Sequence, residues 1–245
     1  MKTRFILIET SHAGNVGAAA RALKVMGFAE LVLVAPRWAN VLRREETIQR
    51  ASGALDVLRE ARIVDTLDEA LEGLSHLCAT AMVPRDFGPP TVAPREHLTG
   101  LAQQVPAPLG VGFLFGSERF GMKNDDVYRC HAALSIPTNP EFGSLNLASA
   151  VQVIAYEWRL AMGGYGVPDP RPQTELADAR AVAGLLAHWE QSLVEIGFLD
   201  PQAPKKLMPR LQQLFNRAQL STEEVHILRG VARQMVRPKD ENPLD

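Results

Sequence analysis

The chain has 245 residues, 46% of them hydrophobic and 22% charged, with a formal net charge of −2 and a pI near 6.3. These values exclude a disordered tail and a globally basic nucleic-acid binder. They leave room for a local basic patch, on one large α/β domain or on a domain with a smaller appendage.

In chain order, MKTRFILIE meets an acid after a short apolar run, too early for a signal peptide. No later run approaches the roughly eighteen apolar residues of a membrane span, so a soluble, cytoplasmic protein is expected. Phe5–Ile8, Leu31–Val34, Ala61–Val64, His76–Thr80, Leu109–Phe115 and Ala133–Ile136 read as strands, several apolar on both faces as buried parallel strands are. Between them, Gly17–Met26, Asp65–Gly73 (capped by Asp65 or Thr66), Arg95–Gln104, Asn124–Cys130 and Leu145–Leu160 read as helices. The alternation predicts an α/β fold with a mostly parallel sheet covered on both faces, and ligands of such sheets sit at the carboxyl ends of the strands.

GGYGVPDPRPQTE, Gly163 to Glu175, has the Gly and Pro content of a linker. Beyond it Leu176–Glu195, Lys205–Arg217 and Thr222–Val236 are three helical patterns, the last opened by a Ser221/Glu224 capping box, and Pro238–Asp245 reads as a frayed tail. The expected organisation is therefore a domain at 1–162, a linker at 163–175 and an all-helical extension at 176–245. Lys205, Lys206, Arg210, Arg217, Arg229, Arg233 and Arg237 outnumber Glu223 and Glu224 there, and the last three arginines share a helix face. Such a stripe is either a solvated surface or an RNA contact.

Three loops could carry chemistry. Gly14-Asn15-Val16-Gly17 follows the first strand, but it has no third dinucleotide-type glycine, no acid at the end of the second strand and no Walker lysine. Arg21 falls beside the apolar side Ala18, Ala22, Val25 and Met26, so it either meets an anion near the helix start or snorkels to water. GSERFGM, Gly116 to Met122, follows the strand VGFLF; its glycines allow close backbone approach, and Glu118 could cap a helix or pair with an arginine. The third, TNPEFGSLNLASA, offers Ser144 as an N-cap and Asn146 in the first helical turn. Cys78 and Cys130 stand far apart in no Cys-x-x-Cys arrangement, so neither a disulfide scaffold nor a zinc module is indicated, and His12 and His131 read as structural.

NxGxxxRA at Asn15–Ala22, FGSERFGM at Phe115–Met122 and IPTNPEFGSLNLASA at Ile136–Ala150 together resemble the three signature motifs of the SpoU branch of the SPOUT methyltransferases. Within it, ETSHAGN, IVDTLDEAL, NPEFGSLNLA and VQVIAYEWR resemble the TrmJ type, the tRNA (cytidine/uridine-2′-O-)-methyltransferases acting at position thirty-two of the anticodon loop. Gly143 and the pair Ala81-Met82 depart from the usual pattern.

The resemblance implies a deep trefoil knot, which chain-topology rules alone argue against. It implies an S-adenosylmethionine pocket built from Thr80, Ala81, Met82, Gly116, Ile136, Gly143, Ser144 and Leu145. It further implies Arg21 as catalytic residue, with Asn15, Glu118, Ser144 and Asn146 in supporting roles, and a homodimer in which Arg21 completes the other subunit's site. The implied partner is tRNA, gripped by Arg21 and by Lys205, Lys206, Arg210, Arg229 and Arg233, and the reaction needs no metal. A ribosomal-RNA methyltransferase of the same branch and a non-catalytic RNA binder on this fold are the competing readings.

Overall fold

The computed structural model describes residues 1–81, 83–168 and 175–237, which form two compact units, Met1–Gly166 and Val167–Asp245. Met82, residues 169–174 of the expected linker and the expected frayed tail lie outside the described residues.

The first unit is built on seven parallel strands in the order β3-β2-β1-β6-β4-β7-β5. They are β1 (Lys2–Ile8), β2 (Leu31–Val34), β3 (Arg62–Val64), β4 (His76–Thr80), β5 (Thr91–Val92), β6 (Gly110–Phe115) and β7 (Ala132–Leu134). β2 and β6 are buried at every residue, as strands covered by helices on both faces must be. Alternate residues of β1 feed two cores: Phe5 and Leu7 face one layer, Ile6 and Ile8 the other. Helices α1 (Ala13–Val25), α2 (Glu45–Ala51), α3 (Leu55–Glu60), α5 (Pro94–Ala102) and α7 (Leu147–Ala161) cover the first; α4 (Leu67–Leu71) and α6 (Asn124–Tyr128) cover the second. Phe113 forms a tilted pair with Phe5 at 5.1 Å between ring centroids and meets Trp158 edge-on at 5.8 Å. The fully buried Trp158 donates from Nε1 to Thr3 Oγ1 at 3.0 Å, which fixes α7 across β1. Chain order reverses at β1, which has β2 on one side and β6 on the other, so the crevice at the carboxyl edge opens beside β6 and β4.

Several expectations are corrected. α1 starts at Ala13 rather than Gly17, so Gly14 and Gly17 lie inside the helix and not in a loop. Gly17 serves packing: a Cβ there would stand 2.0 Å from the Thr47 carbonyl oxygen of α2. Val25, expected on the packing side, is 57% exposed. Ser144 is not the N-cap of α7; Asn146 is, accepting from the Ala148 amide. Thr66, not Asp65, caps α4 through a full capping box. The sequence reading assigns nothing to 41–60, where a 3-10 turn at Val41–Arg43, α2 and α3 stand, because elements of three to seven residues show too few turns to reveal a period. β5 escapes it as well, with only two residues.

The second unit carries α8 (Ala179–Glu195), α9 (Leu207–Ala218) and α10 (Thr222–Met235) around Leu185, Phe215, Leu220 and Val225. Trp189 packs edge-on against Phe215 at 5.8 Å and donates to the Leu228 carbonyl. The Ser221/Glu224 capping box forms with both bonds in place.

Candidate functional site

A pocket of about 580 Å³ opens where β4, β6 and β7 end. Its walls come from three loops and from His12 and Asn15 at the start of α1. At the end of β4, Thr80 and Ala81 line it, tied to neighbouring strand ends by Thr80 Oγ1 donating to the Leu114 carbonyl and Ala81 N–H donating to that of Leu134. After β6, the segment Gly116–Met122 folds back on itself through paired Ser117 and Gly121 backbone bonds of 3.0 and 2.9 Å. Only glycine fits at 116, since a Cβ would lie 2.2 Å from the Gly121 carbonyl carbon, and Gly121 holds a φ of +68°. Before α7, Ile136, Gly143, Ser144 and Leu145 complete the wall. The expected pocket residues thus converge, with Met82 outside the described residues.

At the pocket wall Glu118 gathers five hydrogen bonds. Its carboxylate accepts from Thr10 Oγ1 at 3.0 Å, Ser11 N and Oγ at 2.8 and 2.9 Å, His12 N at 3.3 Å and Asn15 Nδ2 at 2.8 Å. Burial raises the carboxyl, but the bonds from Asn15 and Ser11 outweigh it and hold the group down at about 2. An acid at the start of α1 also complements the helix dipole. Of the two readings the sequence leaves open, capping a helix or pairing with an arginine, the structure favours the first: Glu118 ties down the entry to α1, and none of its partners among the described residues is an arginine.

Asn15 then passes the order on. Its Oδ1 accepts from Asn146 Nδ2 at 2.9 Å, while Asn146 Oδ1 accepts from the Ala148 amide at 2.9 Å. Because each amide has a defined donor and acceptor side in this chain, both side-chain orientations follow from the ionised carboxylate at one end and the helix amide at the other. Residues 131 positions apart in sequence become one polar unit beside the cavity.

Arg21 stands apart. It is exposed on α1, six residues and about 9 Å of helix axis beyond Asn15. It does not line the pocket of its own chain, and it makes no hydrogen bond or ion pair among the described residues. A different arginine does line the pocket: Arg85, whose Nη1 donates to the Val83 carbonyl at 3.2 Å while its buried Nε has no partner among the described residues. The sequence reading stopped at Met82 and missed it, although a cation three residues beyond a strand-end loop was a visible signal. After β2, Trp38 lies between Arg37 and Arg44, whose guanidinium carbons sit 4.8 and 4.5 Å from its ring centroids.

In the second unit Lys205, Lys206, Arg210 and Arg233 are exposed, without ion pairs among the described residues. Arg229 differs from the expected free stripe: it is half-buried over Gly184, where a Cβ would meet its Nη2 at 2.4 Å.

The model of the SpoU rRNA methylase family matches residues 2–156, and that described as the tRNA methyltransferase TrmJ, C-terminal domain, matches residues 180–243. The tRNA (cytidine/uridine/adenosine-2′-O-)-methyltransferase TrmJ of Pseudomonas aeruginosa UCBPP-PA14 is 43% identical over 239 residues, 94% of this chain and 92% of that protein. The tRNA (cytidine/uridine-2′-O-)-methyltransferase TrmJ of Cronobacter sakazakii is 41% identical over 98% of both chains. Among solved structures, TrmJ from Zymomonas mobilis ZM4 matches with a TM-score of 0.76 at 32% identity, covering 97% of this chain and all of that one. The chain belongs to the SpoU methylase family of methyltransferases and, within it, to the TrmJ group.

Proposed function

We propose that the chain transfers a methyl group from S-adenosylmethionine to a ribose 2′-hydroxyl of tRNA, on cytidine or uridine at position thirty-two of the anticodon loop. The observation that carries this reading is the continuous hydrogen-bonded unit Glu118–Asn15–Asn146 on the wall of a pocket at three strand ends. The likeness to TrmJ proteins over nearly the whole chain supports the tRNA substrate.

The pocket fits the donor. Its volume lies in the roughly 300–1,000 Å³ of small-molecule sites. Ile136, Leu134 and Leu145 offer apolar walls for an adenine ring, and the unpartnered Nε of Arg85 offers a donor for an amino-acid carboxylate. When bound, the sulfonium supplies an activated methyl group. The chain's own residues then orient the receiving sugar: Asn15 and Asn146 present fixed amides, and Glu118 acts as a positioning residue that keeps them and the start of α1 in place.

Arg21 offers a guanidinium with five donors and no acceptor, so it is not cast as a general base. In this reading it offsets negative charge growing on the 2′-oxygen as that oxygen takes the methyl and its proton passes to bulk water, and grips the adjacent phosphate. Its exposure outside its own pocket supports a homodimer in which Arg21 of one copy completes the pocket of the other. The reading includes a trefoil knot in the segment that carries the loops after β6 and β7, and a tRNA-gripping role for Lys205, Lys206, Arg210 and Arg233, with Arg229 as their packed support. The test is methylation in vitro of whole tRNA and of ribosomal RNA, with nucleotide-level mapping of the 2′-O-methyl group. A methyl at position thirty-two of tRNA is expected. Methylation confined to ribosomal RNA, or the absence of S-adenosylmethionine binding by calorimetry, would overturn the proposal.

A further inference from the structure

The opposite edge of the sheet carries a cluster that the methyl-transfer reading leaves unused. His76 opens β4, Cys78 follows two residues later on the same face, and His97 comes across from α5. His76 Nε2 and His97 Nε2 lie 3.3 Å apart, and one ligand atom from each of His76, Cys78 and His97 falls within 4.8 Å of the others. Cys78 is fully buried and both histidines are half-buried. His131, whose Nδ1 accepts from the Leu77 amide at 3.1 Å, stacks on the His76 ring at 4.7 Å between centroids and fixes its plane.

We infer that His76, Cys78 and His97 form a zinc site that clips β4 to α5, with water in the fourth position. Two nitrogens bound to one tetrahedral zinc at about 2.05 Å stand roughly 3.3 Å apart, which is the separation the two histidines already hold. A zinc-bound nitrogen and sulfur stand roughly 3.6 Å apart, so the thiol has at most about 1.2 Å to close, within the reach of a χ1 adjustment. Two imidazoles and a thiolate are the donor set of borderline-soft divalent metals. On binding, the thiol proton of Cys78 passes to solvent, and each histidine presents an unprotonated Nε2 with its proton on Nδ1.

Along β4 the pocket residue Thr80 lies about 13 Å from His76 and about 7 Å from Cys78 at strand rise, and none of the three ligands lines the pocket, so the metal would act on the fold and not on the transferred methyl. Sequence spacing concealed the site. One ligand pair is two apart in a strand and the third sits on a helix about 20 residues on, which matches no zinc-finger pattern.

The test uses the untagged full chain, exposed to zinc, dialysed against metal-free buffer and assayed for bound metal by mass spectrometry. About one zinc per chain is expected in the wild type and in Cys130→Ser, whose thiol lies in the other core layer, and none in His97→Gln or Cys78→Val. Cobalt should give the visible bands of a tetrahedral complex together with a thiolate charge-transfer band that Cys78→Val lacks. A chelator should lower the melting temperature of the wild type and leave that of His97→Gln unmoved, a readout independent of methylation. Zinc far below one per chain in the wild type would overturn the inference, leaving the two histidines as a plain N–H···N pair. Zinc retained equally by His97→Gln and Cys78→Val would overturn it too.

Discussion

Replacing Glu118 with glutamine removes one charge and little volume, and the structure sets how much that should cost. All five of its partners donate. A glutamine would keep one accepting oxygen and turn an NH2 group toward donors, of which the Thr10 and Ser11 hydroxyls can rotate but the Ser11 and His12 amides cannot. The interval between a carboxyl held at about 2 and an ordinary glutamate near 4.5 corresponds to on the order of 3 kcal/mol. Glu118 is only half-buried, so solvent screening reduces this to about 1.5 kcal/mol. For a unit of this size that is a fall of roughly 3–6 °C in melting temperature near neutral pH.

The pH dependence has a definite sign. The folded protein binds the Glu118 proton more weakly than the unfolded chain, so the stabilisation is complete above pH 4.5 and is lost as pH falls toward 2. Urea unfolding of wild type and Glu118→Gln at pH 7, 5, 4 and 3.5 should therefore give two curves that converge on the acid side. The exposed Glu141→Gln serves as the control and should track the wild type throughout. Methylation should fall about tenfold or more in Glu118→Gln, because the entry to α1 and the Asn15 amide lose their anchor. Equal stability of Glu118→Gln and wild type at pH 7, or a difference that stays constant down to pH 3.5, would refute the reasoning.

A dimer with Arg21 acting in trans predicts complementation: Arg21→Ala and Asn146→Ala, each inactive alone, should on random 1:1 exchange recover roughly a quarter of wild-type methylation, since half the dimers are mixed and each has one intact site. Action in cis would give none. Gly17→Ala should cost about 1–3 kcal/mol in urea unfolding by forcing α1 from α2, whereas Gly53→Ala, with nothing within 4 Å of the new Cβ, should be nearly neutral. In filter binding at graded salt, Lys206→Ala with Arg210→Ala should flatten the dependence of tRNA affinity on salt by about one to two units of log–log slope while leaving helical content unchanged.

The parts of the fold that show in the sequence are those whose burial is complete. LVLV and GVGFLF are apolar at nearly every residue because helices cover both faces of a parallel sheet, and their bounds hold to within one residue. α2, α3 and β5 fail the same test for a physical reason. Each is too short to display its own period, and the surrounding tertiary contacts decide its conformation. The start of α1 was hidden differently. His12 caps nothing with its side chain, and two glycines look like a loop until α2 is seen lying against them.

The site divides along the same line. The motif loops could be placed from sequence because each follows a strand, and the crevice at the strand ends brings them together whatever their separation along the chain. What sequence could not give is who holds whom. Glu118 is bonded to Ser11 and Asn15 across more than a hundred residues, and a carboxylate beside an arginine in the same motif invites the wrong partner. The arginines make the sharper case. Arg21 has the motif position but does not line its own pocket, while Arg85 has the pocket position. A guanidinium with a buried, unbonded Nε is costly to keep unless an anion arrives, whereas an exposed one costs almost nothing and is free to serve a neighbouring molecule. Within the proposed function, those unequal costs favour Arg85 over Arg21 as the partner of the methyl donor's carboxylate, and leave Arg21 for the RNA in the proposed dimer.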